Sequence, residues 1–114
     1  MLRYVPDAAR AIAEARDRGA LVHLVGPVNS KADALDAIGV ALNFPAWYGR
    51  NLDALYDCLV DLSWQGAGEH VLVWAGHRQF EVADPDGYRA VLAVLDDAAA
   101  ASSERPLSVL LADA

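Results

Sequence analysis

The sequence predicts an α/β protein with a small three-stranded parallel sheet flanked by helices and an extra N-terminal helix. Apolar runs of strand length lie at residues 20–25, 70–74 and 107–111. Segments with the apolar period of a helix separate these runs, and parallel strands need such helical crossovers. Alternation of this kind is typical of the α/β class.

Composition is typical of a soluble single-domain protein. The 114 residues are 55% hydrophobic and 22% charged, which allows one core but not two. No apolar run approaches the length of a membrane-spanning helix, and charged residues interrupt any secretory signal near the N-terminus. The single cysteine, Cys58, fits a reducing compartment. We therefore expect a cytoplasmic protein without membrane contact.

The net charge narrows the class of partner. Sixteen acidic residues against nine basic ones give a formal charge of −7. Nucleic-acid phosphates would be repelled, so we expect no nucleic-acid ligand. A basic protein would be attracted, mainly through its association rate, although the same charge would also serve simply to keep a small protein soluble.

The first part of the chain predicts two helices around one strand. Residues 7–18 predict a helix that starts near Asp7, and its mostly Ala apolar positions make it a peripheral cover. The run 20–25 predicts a strand buried on both faces. Ser30 caps a second helix that ends at Asn43. Its core face consists of Leu35, Ile38 and Leu42.

An aromatic loop and an acidic helix follow. Gly49 is expected to supply a positive φ in the loop 44–50, and Asn51 caps the next helix. One helix face carries the apolar stripe Leu52, Leu55, Leu59 and Leu62, and the other carries Asp53, Asp57 and Asp61. Like charges four residues apart destabilise a helix by roughly 0.2–0.5 kcal/mol per pair. Such departures from local preference tend to mark function.

The second part predicts two more strands with helices between them. Residues 70–74 predict the second strand, and residues 77–83 a short helix or turn. Asp84 and Pro85 are typical of a helix start. After Pro106, residues 107–111 predict the last strand.

Catalysis and metal binding are weakly supported by the residue pattern. Asp53 and Asp57 form the obvious pair for acid–base chemistry, but both face solvent on one helix with nothing to separate their pKa values. One straight face that includes Asp61 cannot wrap a cation. The three histidines, His23, His70 and His77, lack ligand or triad spacing. We therefore expect no enzyme, no metal and no cofactor, and structural roles for the histidines.

A binding surface fits the pattern better. Trp47 and Tyr48 immediately precede the acidic helix, and Tyr56 and Val60 lie on its flank. Aromatic residues beside acids on a rigid element are typical of an interface hot spot. The alternative is that Trp47 and Tyr48 simply anchor the loop.

Residues 44–59 closely resemble the signature segment of the barstar family, intracellular inhibitors of the ribonuclease barnase. The shared pattern is Pro-x-aromatic-Tyr-Gly-x-Asn-Leu-Asp-Ala-Leu-x-Asp-Cys-Leu, which is long and ungapped. Looser similarity covers residues 20–111. The resemblance implies a three-stranded parallel sheet flanked by helices. It makes residues 1–19 an N-terminal helical extension and residues 20–114 a barstar-like domain.

By resemblance, the chain is a bacterial antitoxin or immunity protein that binds a basic barnase-type ribonuclease one to one. It would block the active site with acids that occupy the places of substrate phosphates. We expect a monomer when free. The alternative is a barstar-fold regulatory or interaction module for a different basic protein, and a small enzyme using Asp53 and Asp57 is a third hypothesis.

The resemblance also implies roles by position. Asp57 is the central anchor in the cationic pocket of the enzyme, and Asp53 makes the neighbouring contact. Trp47 matches an aromatic that stacks over the active-site histidine of the enzyme, and Tyr56 an aromatic between the two acids. The implied partner-binding set is Trp47, Tyr48, Gly49, Asn51, Asp53, Tyr56, Asp57, Val60, Asp61 and Asp97, the last a supporting acid on the later helix.

The chain departs from the family pattern within this segment. Trp47 replaces a tyrosine, Tyr56 replaces a tryptophan, and Asp61 stands where barstar has glycine. These departures bear on which ribonuclease is bound more than on the mode of binding.

Overall fold

A computed structural model describes residues 2–101 and 104–113 of the chain. Within these residues, four strands and five helices follow one another along the sequence. The strands are β1 (Leu2–Val5), β2 (Leu21–Val25), β3 (His70–Ala75) and β4 (Leu107–Ala112). The helices are α1 (Ala8–Asp17), α2 (Lys31–Ala41), α3 (Leu52–Asp61), α4 (Arg78–Ala83) and α5 (Pro85–Ala100).

The sheet is parallel throughout, with the strand order β1-β4-β3-β2. The predicted number of three strands was wrong, because β1 adds a fourth at one edge. Leu2 pairs with Val109 and Val5 with Ala112, across most of the length of the chain. A strand of four residues that exposes its Arg and Tyr has no apolar run by which it could be recognised. The N-terminal segment therefore contains a strand as well as the predicted helix, and the boundary at residue 20 stays a prediction.

The prediction of β2 as a strand buried on both faces was also wrong. β2 is the other edge of the sheet, and Leu21 and Leu24 are 40% and 53% exposed. The central strand β3 is the one whose faces are both covered. Its Val71 and Val73 pack under α1, whereas Leu72 and Trp74 lie in the larger core on the opposite face.

Helical cover is unequal on the two faces of the sheet. α1 contributes Ala8, Ala11 and Ala15 to the buried part of the smaller cluster, and its partly buried Ile12 packs against that cluster, as expected for a peripheral cover. The larger core is built from α2, α3, α4 and α5. The acidic helix α3 therefore belongs to the thick side of the molecule.

The helices α2, α3 and α5 begin at the capping residues that the sequence predicts. The Ser30 hydroxyl accepts the Asp33 N–H at 3.1 Å, and the Asn51 side chain accepts the Ala54 N–H at 2.8 Å. Asp84 caps α5, whose first residue is the predicted proline. None of the helices in the described residues combines the length and apolarity needed to cross a membrane.

Candidate functional site

The acidic helix α3 is anchored by its apolar stripe. Leu55 and Cys58 are completely buried, Leu59 is 1% exposed, and the helix packs against α5. Leu62 follows in the left-handed conformation with a φ of 49° and is also completely buried. A helix held from its first turn to its C-cap presents its outer face as a rigid surface.

Three carboxylates occupy that outer face. Asp53, Asp57 and Asp61 are all exposed, as the spacing predicts. None of them takes part in an ion pair within the part of the chain that the structure describes. Asp61 accepts a hydrogen bond from the Ser63 hydroxyl at 3.2 Å. The row of negative charge is therefore available to a partner.

The carboxylates of the acidic face affect the pKa of the Cys58 thiol, which is buried on the other side of the helix. Burial raises the pKa of Cys58, and the neighbouring carboxylates of Asp57 and Asp61 raise it further. The thiol is thus held in its neutral form and packs as a small buried side chain.

Trp47 forms the aromatic edge of the site. Its side chain is 64% exposed, and its ring meets the ring of Trp64 edge-on, with 6.3 Å between centroids. Trp64 is fixed in turn, because its indole N–H donates to the Leu42 carbonyl at 3.0 Å. Sequence reasoning missed Trp64 as a support. The available signal was a tryptophan placed outside any strand, in the turn that follows α3.

Tyr48 lies in the loop as an anchor. It is half-buried, its hydroxyl donates to the Leu35 carbonyl at 3.1 Å, and its ring packs edge-on against Phe44. The ring rests on α2 at Gly39, where an added Cβ would come within 3.0 Å of Tyr48 Cε2. Burial is the main cause that raises the pKa of Tyr48 to about 12. For this residue the structure therefore favours the anchoring interpretation.

The left-handed residue in the loop is Arg50, with a φ of 53°, and the expectation of a positive φ at Gly49 was wrong. The Arg50 guanidinium lies 3.4 Å from the Asp36 carboxylate on α2. This ion pair, together with the Asn51 cap that follows, holds an arginine where glycine would be less strained. Arg50 is also exposed, so it adds one cation beside the acidic row.

The remaining predicted contact residues differ in exposure. Gly49 and Asn51 are exposed, and Tyr56 is 37% exposed. Val60 is half-buried and packs against the core. Asp97 is exposed near the end of α5, the helix against which α3 packs. The roles of these residues in binding stay predictions.

The histidines serve other parts of the fold. His23 and His70 contact each other, and His77 lies 2.7 Å from the Tyr88 hydroxyl through its Nδ1. Over residues 2–101 and 104–113, no group of three or more His, Cys, Asp or Glu side chains is arranged to hold a metal ion.

The fold and the site together define a small parallel α/β protein whose distinctive surface is a rigid acidic helix beside an exposed tryptophan. The family model described as Barstar (barnase inhibitor) matches residues 20–112. The chain belongs to the barstar family, and the matched range contains the whole acidic face together with β2, β3 and β4. No protein of curated function matches the chain.

Proposed function

We propose that this protein inhibits a basic, barnase-type ribonuclease by inserting the acidic face of α3 into the active site of the enzyme. The supporting observation is the row of Asp53, Asp57 and Asp61, exposed and without ion pairs among the described residues, on a helix fixed by its buried side. Family membership supports an inhibitor rather than an enzyme.

The geometry of the row suits a target that binds phosphates. Residues four apart on a helix are separated by about 6 Å along its axis, so the three carboxylates form an evenly spaced line of anions. A ribonuclease site must carry cations for the RNA backbone, and those cations would meet this line. Trp47, on the N-terminal side of the row, would cover the rim of the site and exclude water.

Asp57 stands at the centre of the row and should carry the largest share of affinity. Truncation of one partner in a desolvated charge pair leaves the opposite charge buried without compensation, which typically costs about 2–5 kcal/mol. The barnase–barstar complex is itself among the systems that define this general range. Asp61 lies at the end of the helix, where a rim charge mainly changes association rate and salt dependence.

The test is a mixing experiment with purified barnase-type ribonucleases. Residual RNA cleavage and complex formation are measured for the natural chain, for Asp57→Ala and for Asp17→Ala. Asp17 is the matched control, because it is an exposed acid at the end of α1, on the opposite face of the sheet. We expect one-to-one inhibition that Asp57→Ala weakens at least about 30-fold, as about 2 kcal/mol or more requires, and that Asp17→Ala leaves unchanged. Inhibition that Asp57→Ala changes by less than about threefold, or 0.7 kcal/mol, would contradict the assigned roles.

A different basic protein is the second candidate partner. Asp61 stands where barstar has glycine and lengthens the acidic row, so the face is not a copy of the family pattern. Capture of a basic protein without ribonuclease activity, together with no inhibition of any barnase-type enzyme, would favour this regulatory role. In either case we propose a cytoplasmic protein that is monomeric when free and, as an immunity protein, would protect the RNA of the producing cell.

A further inference from the structure

Two histidines on neighbouring strands link the chain segments that flank the acidic helix. His23 of β2 and His70 of β3 stack with ring centroids 5.1 Å apart and 20° between planes. His70 is completely buried and His23 is half-buried. One end of the pair meets the carbonyl of Ala41, the last residue of α2, and the other meets the carbonyl of Gly66, after α3.

The contacts form an unbroken line from carbonyl to carbonyl. The Gly66 oxygen lies 2.8 Å from His70 Nε2, and His70 Nδ1 lies 2.9 Å from His23 Nε2. His23 Nδ1 lies 3.2 Å from the Ala41 oxygen. A carbonyl oxygen only accepts hydrogen bonds, so each of the three contacts needs its own ring proton. Two neutral imidazoles carry two N–H groups, and the line is complete only when the pair binds one more proton.

The distances indicate which contact lacks a proton in the neutral pair. If both rings carry hydrogen on Nε2, His70 donates to Gly66 and His23 donates to His70. His23 Nδ1 then faces the Ala41 oxygen with lone pairs on both atoms, and this is the longest of the three contacts. The other tautomers would place two lone pairs against each other across one of the two shorter contacts.

We propose that the His23–His70 pair is a proton-operated latch between the sheet and the carboxyl end of α2. With two protons the pair holds Gly66 alone, and a third proton, taken up at His23 Nδ1, closes the bond to Ala41. The carbonyls at the end of a helix lack partners within it, and a cation there also gains from the helix dipole. Because α2 leads into the loop 44–50, closing the latch restrains the segment that carries Trp47.

Charged groups lie on the chain segments next to His70 and Gly66. Glu69 precedes His70 and is paired at 2.9 Å with Arg18, the residue that follows α1, and Arg105 donates to the Gln65 carbonyl beside Gly66. Burial lowers the pKa of His23, and His70 lowers it further, whereas the Ala41 carbonyl raises it. The latch therefore closes below the ordinary histidine value of 6.5. Since the folded state has the lower pKa, the free energy of unfolding falls as the pH drops below 6.5 and levels off below the folded-state pKa, even though the bond to Ala41 forms.

The inference goes beyond the proposed function and is tested on the free chain. Ring nitrogens of ¹⁵N-histidine-labelled protein are followed by NMR from about pH 8 to about pH 5. We expect both rings to carry hydrogen on Nε2 at high pH, followed by uptake of one proton at His23 Nδ1. An Nδ1–H tautomer of His23 at high pH, first protonation of His70, or independent titration of the two rings would overturn the proposal.

Hydrogen exchange at the end of α2 supplies a second readout. The amides of Asn43 and Phe44 donate to carbonyls of α2 and report on its last turn. We expect their protection, corrected for intrinsic rates, to rise about tenfold on acidification, as one bond from a charged donor would give. His23→Gln, which keeps a donor toward His70 but does not titrate, should abolish the rise. His23→Asn, whose amide can reach Ala41 at every pH, should show high protection throughout. Equal pH dependence in His23→Gln and the natural chain would contradict the latch.

Discussion

Repulsion within the acidic row should lower the free energy of unfolding of the free protein. The variant Asp57→Asn measures the size of this effect. Asp57 lies four residues from both Asp53 and Asp61 on the exposed face of α3. Its neutralisation removes two like-charge pairs of roughly 0.2–0.5 kcal/mol each, while size and helix propensity hardly change. We therefore expect the free energy of unfolding to rise by about 0.4–1 kcal/mol, or about 2–6 °C in Tm.

The two outer acids provide matched comparisons. Asp61→Asn removes one like-charge pair and also relieves a carboxylate at the negative end of the helix dipole, so it should stabilise by about 0.5–1.5 kcal/mol. Asp53→Asn also removes one pair, but it loses a favourable position in the first turn, and the two effects should nearly cancel. The expected order of stability gain is thus Asp61, Asp57 and then Asp53.

The assay is urea unfolding of the free chain, followed by tryptophan fluorescence at low ionic strength and again in about 1 M salt. At the higher salt the Debye length falls to about 3 Å, and the gains should largely vanish. Loss of stability in Asp57→Asn at low salt would mean that the carboxylate makes a favourable contact in the free protein. A gain that persists in high salt would refute the electrostatic origin.

Further predictions concern the supports of the site and its partner. Asn51→Ala removes the acceptor of the Ala54 N–H, at 2.8 Å, and should lower the free energy of unfolding by about 0.5–2 kcal/mol, whereas Asn51→Asp should retain most of it; equal urea midpoints for both variants would argue against the cap. Burial raises the pKa of Tyr48 and of Tyr88 to about 12 from an ordinary 10.0. The folded state therefore keeps protons that the unfolded state releases, stability should fall as the pH rises from 10 toward 12, and Tyr48→Phe should flatten that fall in urea titrations at alkaline pH. Asp57→Ala should weaken inhibition of a cognate ribonuclease by the 2–5 kcal/mol typical of a broken charge pair, measured by calorimetry against Asp17→Ala.

Local signals explain what the sequence predicts correctly. Ser30, Asn51 and Asp84 cap helices through bonds to residues three positions away, and such contacts depend on nearby sequence alone. The run that became β3 is apolar at nearly every position because both of its faces are covered. The three aspartates on α3 are visible from spacing in the same way.

Global arrangement explains what the sequence does not reveal. β1 is held by pairing with β4, more than a hundred residues away, and nothing within its four residues indicates that partner. The exposure of Leu21 and Leu24 follows from the place of β2 at the edge of the sheet. The sequence of a single strand does not indicate whether that strand lies at the edge or in the centre. Trp64 follows α3 in the sequence and Trp47 precedes it, so the contact between their rings forms only when the chain is folded.

Competition with an RNA-like ligand tests the phosphate-mimicry proposal most directly. A barnase-type ribonuclease that this protein inhibits is titrated with the protein at increasing concentrations of a non-cleavable deoxydinucleotide. Phosphate mimicry by α3 predicts that the protein and the nucleotide exclude each other from the enzyme. Once the nucleotide concentration exceeds the Kd of the nucleotide for the enzyme, the apparent Kd of the protein should rise in proportion to that concentration. A ternary complex, in which the nucleotide binds the inhibited enzyme with unchanged affinity, would contradict that account.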